Sequence, residues 1–122
     1  MTAAKGYYAL VQYRPDASRL EAANIGVILL CPERGFLEAR FAEGHERIRR
    51  FFGPRDWQFV DMQKRAVKER LAADRDGLLA ADALRQYAAR LANEIVITEP
   101  RFVRVENPAD ELASLFEQLV GS

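Results

Sequence analysis

The chain has 122 residues, 49% hydrophobic and 30% charged, a composition that fits one folded domain with a core of its own. Its 18 basic and 18 acidic residues cancel, which argues against a domain devoted to non-specific nucleic-acid binding. A single cysteine, Cys31, and a single histidine, His45, exclude an intrachain disulfide and a zinc or redox-metal cluster built within one chain.

Residues 7–14 read as a strand, with Tyr7, Ala9, Val11 and Tyr13 on one face and Tyr8 and Leu10 on the other. Pro15 and Asp16 end it. Residues 25–31 are apolar on both faces, the pattern of a central strand covered on both sides. Just before this run stand Glu21, Asn24 and Gly26. Polar groups at the start of a core strand need partners, and a glycine there marks a bulge or a close backbone approach. Pro32-Glu33-Arg34-Gly35 predicts a hairpin turn, and residues 36–42 supply its second arm. Leu37, Ala39 and Phe41 turn inward there, Glu38 and Arg40 outward.

Helical spacing follows. Ile48, Phe51 and Phe52 mark a short segment stopped by Gly53-Pro54. Asp56 is the expected N-cap of a helix running to about residue 73. Trp57, Val60, Val67 and Leu71 form its inner side, widened by Phe59, Met62 and Ala66. Residues 79–91 form the next helix, with Ala80, Leu84, Tyr87, Ala88 and Leu91 inward. Residues 94–106 return to strand character, and Pro100 points to an edge strand or to a strand that begins there. Asn107-Pro108 predicts a helix start, cap first and ring second, with Leu112, Leu115, Phe116 and Leu119 as the buried stripe. The order βββααα-β-α implies an α+β fold over residues 1–122 as a single domain. The expected form is an antiparallel sheet of about four strands with helices packed on one face.

Several stretches carry a family resemblance. They are Tyr8-Ala9-Leu10-Val11, Arg14-Pro15, the run from Glu21 through Asn24, Gly26 and Val27 to Leu29, Cys31-Pro32, and residues 36–41. Near the end come Asn107-Pro108, Glu111-Leu112 and residues 115–120. Together these resemble the bacterial DUF3037 family, a domain of unknown function, over nearly the whole chain. The glutamate–asparagine–glycine element is the most specific part, while residues 56–91 carry no family motif. The resemblance implies a small bacterial cytoplasmic protein with no established activity. It also brings a loose association with neighbouring genes for kinases similar to the HipA toxin.

Arg14, Glu21, Asn24 and Gly26 form the candidate polar site. As a pocket it would suit a small ligand-binding domain or enzyme holding an anion or shaping acid–base chemistry. As structure, Glu21 pairs with Arg14 and Asn24 bonds loop backbone. The structural reading is favoured, because three polar groups without a nucleophile are weak grounds for chemistry. Ser18, Ser114 and Ser122 lie in no nucleophile elbow, and the glycines are scattered at turns rather than gathered in a phosphate loop, so no cofactor is expected. No metal site is assigned, although Asp16 or Glu21 leaves room for a magnesium-binding carboxylate.

Arg47, Arg49, Arg50, Lys64 and Lys68, beside Phe51 and Phe52, are the candidate nucleic-acid contacts. Interleaved acids and zero net charge favour a solvated helix face instead. Apolar runs too short for a bilayer and an N-terminus without a signal core exclude a membrane role and make the cytoplasm the expected location. The leading expectation is a non-catalytic interaction or regulatory protein, with a protein partner or a second copy of itself as a homodimer.

Overall fold

The computed structural model describes residues 3–15, 22–44, 49, 57–91 and 94–121. Five strands, β1 (Ala4–Tyr13), β2 (Ala23–Cys31), β3 (Phe36–Phe41), β4 (Ile95–Ile97) and β5 (Arg101–Val105), form one antiparallel sheet. Three helices are seen among the described residues: α1 (Trp57–Ala73), α2 (Ala81–Arg90) and α3 (Pro108–Leu119). The α+β class and the antiparallel sheet expected from the sequence are both present.

Across the sheet the order is β3-β2-β1, and then β4 and β5 share the far side of β1. β4 pairs with residues 11–13 and β5 with residues 4–8. The sheet is thus four positions wide but has five strands, because the C-terminal run breaks at residues 98–100. Val11 faces Ile97 while Tyr8 faces Arg101, so the edge carries one residue more than β1 across the break. Pro100 has no N–H to give the ladder, and Thr98 closes the gap. Leu10 N–H donates to Thr98 Oγ1 at 2.9 Å, and Thr98 N–H donates to Leu10 O at 2.9 Å.

The β2–β3 hairpin forms where the sequence placed it. Pro32–Arg34 makes one 3-10 turn, and Gly35 at φ 59° donates its N–H to Pro32 O at 3.1 Å. That left-handed backbone suits a residue without Cβ.

The helices occupy both faces of the sheet, not one. On the first face Ala9, Val11, Tyr13, Ile25, Ile28, Leu30 and Leu37 pack with Val60, Val67 and Leu71 of α1 and Leu84 of α2. On the second face Val27, Leu29, Cys31 and Val105 pack with Leu112, Leu115 and Phe116 of α3. The cause is β2 itself, whose residues 25–31 are buried on both sides. A strand apolar on two faces needs two covers, and the amphipathic stripe of α3 supplies the second.

Two details of the helices differ from expectation. Phe59 and Met62 are exposed, so they do not widen the inner face of α1. The second helix starts at Ala81, after a 3-10 turn at Arg75–Leu78, and leaves Ala80 exposed. The α3 cap forms as predicted, with Asp110 N–H donating to Asn107 Oδ1 at 3.1 Å and Pro108 at the first helical position. Of the helix expected at residues 48–52 only Arg49 is described, and it is helical; the rest of it and the Asp56 cap lie outside the described residues.

Candidate functional site

The alternation of β2 breaks once. Val11 pairs with Gly26 and Gln12 with Asn24, which leaves Ile25 as an extra residue opposite β1. This is a β-bulge, and it exchanges the faces of everything before it. Ile25 therefore joins Ile28 and Leu30 on the α1/α2 face, while Asn24 turns toward α3. Gly26 sits where a Cβ would lie 2.5 Å from Phe41 Cδ1 and 3.1 Å from Arg40 O, so the Phe41 ring and the backbone beside it would have to give way to a side chain. The bulge and the close approach read from the sequence at Gly26 are both present.

The bulge builds a chain of hydrogen bonds. Arg14 donates from Nη2 to Gln12 Oε1 at 2.6 Å and from Nε to the same oxygen at 3.1 Å. Gln12 Nε2 donates to Asn24 Oδ1 at 2.9 Å. Asn24 Nδ2 then donates to Leu119 O at 3.0 Å. Leu119 is the last residue of α3, and its carbonyl has no partner within the helix. Asn24 caps that helix end.

Two of the predicted site residues, Arg14 and Asn24, are thus brought together, and the link between them is Gln12. Glu21 lies outside the described residues. Gln12 carried no motif of its own, because its role depends on a register shift that sequence alternation does not display.

A family described as "Protein of unknown function (DUF3037)" matches residues 8–120. The chain belongs to the DUF3037 family. Neither the curated proteins nor the solved structures contain a match.

In this DUF3037 chain the nucleic-acid candidates scatter. Lys64 is buried on α1, 8% exposed, and its ammonium donates to Ala42 O at 3.1 Å, just past the end of β3. Burial pushes its pKa below the ordinary 10.5, and Asp61 at 4.0 Å offsets part of that. Lys68 and Arg49 are exposed, and Arg47 and Arg50 lie outside the described residues. Among the described residues no group of three His, Cys, Asp or Glu side chains converges to hold a metal ion. No helix among them is long and apolar enough to cross a membrane.

Arg14, Gln12 and Asn24 line neither of two grooves formed by the described residues. An open groove of about 630 Å³ follows Arg70 and residues 72–78, where Arg70 pairs with Asp74. A smaller one of about 200 Å³ lies between α2 and the β4–β5 break, where Arg85 bridges Asp82 and Glu99. Each couples charges of both signs to one another, with no nucleophile beside a base.

Among the described residues large apolar side chains reach the surface in two places. Met62 is 56% exposed on α1, beside Phe59 and Ala66 at helical spacing. Phe102 is 56% exposed on β5, and its ring meets Tyr7 edge-on, centroids 6.2 Å apart. Sequence reading placed Phe102 in a strand but did not mark it as a surface. The signal was Pro100, which made this run an edge.

Proposed function

We propose that the protein is a non-catalytic interaction or regulatory module acting on a protein partner in the cytoplasm. The observation that supports this most is the closed chain Arg14–Gln12–Asn24–Leu119. Of the candidate polar residues, Asn24 bonds a helix end and Arg14 links to it through Gln12, whereas Phe102 and Met62 present apolar surface outward. Exposed apolar side chains rimmed by charge are how small domains hold partners. The family resemblance nominates a HipA-like kinase as the first partner to assay.

The test uses the full chain with Met62→Glu and Phe102→Glu. Both positions are exposed, so the variants should keep the wild-type melting temperature. Loss of kinase binding in calorimetry by either variant is the expected result. Turnover of a small substrate that survives both variants and is abolished by Asn24→Ala would overturn the reading.

A further inference from the structure

β5 is an edge strand with three features that face outward from the fold. Its ladder partner is β1 alone, so its outer backbone has no strand beside it among the described residues. Phe102, the second residue of that edge, is mostly exposed. Around it stand Arg101, Arg104 and Lys5, all exposed and without a side-chain partner among the described residues.

The placement of the charges matters. Lys5 faces Arg104 directly across β1 and β5. Like charges directly opposite destabilise a pair of strands. Arg34 lies close as well, donating from Nη1 to Glu106 O at 3.1 Å. Glu106, Asp110 and Glu111 lie beyond Arg104, at the start of α3, and bound the basic stretch on that side. Charged residues on an edge ordinarily guard it against pairing. A guard has no use for an exposed phenyl ring, and Phe102 shares its face with Arg104 and Lys5.

We propose that β5 is a docking edge for an extended acidic segment of a partner protein, which adds to the sheet as a further antiparallel strand. The proposal deepens the interaction reading by naming one of its surfaces and the chemistry that fits it. Side chains on an added strand alternate in face with those of β5. Phe102 and Arg104 share the α1/α2 face, and Arg101 lies on the α3 face. An antiparallel partner then reads acidic–x–apolar–acidic, its residues meeting Arg104, Val103, Phe102 and Arg101 in turn.

A peptide supplies backbone donors and acceptors to the open edge, which a phosphodiester chain does not. A second copy of β5 would bring two more arginines to a seam that already holds two, with no acid between them.

The test is amide chemical-shift mapping on the full chain with an acetylated peptide containing Glu-Thr-Val-Glu. The expected result is a shift of the 101–105 amides, weakened by at least about tenfold in Arg101→Glu/Arg104→Glu and by added salt. Lys-Thr-Val-Lys should bind the doubly reversed variant and not the wild type. A peptide methylated on its backbone nitrogens should lose binding.

Three results overturn the proposal: a methylated peptide that binds as well as the unmodified one, an oligothymidylate strand that shifts these amides while the peptide does not, and a wild-type dimer that Phe102→Glu dissolves. None of them touches the α1 stripe, so kinase binding lost through Met62→Glu would keep the interaction reading while the β5 proposal failed.

Discussion

Asn24→Ala is the sharpest probe of the polar chain. The side chain makes one bond to Gln12 and one to Leu119 O. A typical net value is about 0.5–1.5 kcal/mol per bond, which gives about 1–3 kcal/mol for both. Asn24 and Leu119 are both half-buried, so water can reach the freed carbonyl and the lower half of that range applies. At about 4 °C per kcal/mol for a chain this size, the melting temperature should fall by about 4–8 °C.

Gln12→Ala should cost a similar amount, and the double variant should cost less than the sum, by about 0.5–1.5 kcal/mol of coupling. Asn24→Asp adds a sign test. It keeps the acceptor for Gln12 but turns the donor facing Leu119 O into a second acceptor, with negative charge at the negative helix pole. The folded state then raises the pKa of the new carboxyl above its unfolded value. Stability is therefore poorest at neutral pH and recovers as pH falls through that raised value. Circular-dichroism melts across pH would read both effects. An Asn24→Ala protein that melts with the wild type refutes the capping account, and one that does so while losing binding restores the site reading.

Gly26→Ala should cost about 1–3 kcal/mol by overpacking against Phe41 and Arg40 O, read in urea melts and partly relieved by Phe41→Leu. Gly35→Ala meets nothing within 4 Å but holds φ 59°, so it should cost about 1 kcal/mol, and Gly35→Asn less. Lys64 has a folded pKa below 10.5, so the unfolded chain binds more protons between the two values. Stability should then rise with pH as it approaches 10.5 from below, and Lys64→Met should flatten that slope in alkaline melts.

What the sequence displayed depended on range. Local signals carried through: the Asn107-Pro108 cap, the Gly35 turn and the Pro100 edge each rest on backbone rules acting within a few residues. The placing of helices on one face did not, although β2 held the correction in its own pattern. A run apolar on both faces demands two covers, and α3 was the remaining amphipathic helix to provide one. Phe59 and Met62 failed for a different reason, since helical spacing shows that residues share a side and not that anything covers it.

The polar site was half legible for the same cause. Asn24 and Gly26 stood out as residues that a core strand does not need, but their meaning lies in the one residue between them. Counted with strict alternation, Asn24 shares the face of Gly26, Ile28 and Leu30, an apolar layer where its amide would have no partner. The extra residue at Ile25 moves it to the other face, beside Gln12 and the end of α3. Asn24, Ile25 and Gly26 therefore act as one device that sets register, and length matters in it more than side-chain identity. Ile25→Val should cost only about 0.5–1.5 kcal/mol. Deleting Ile25 should be far worse, because it straightens β2 and turns Asn24 into the core or forces every residue before it out of register. A deletion variant that melts no lower than Ile25→Val would show that the bulge does not hold Asn24 in place.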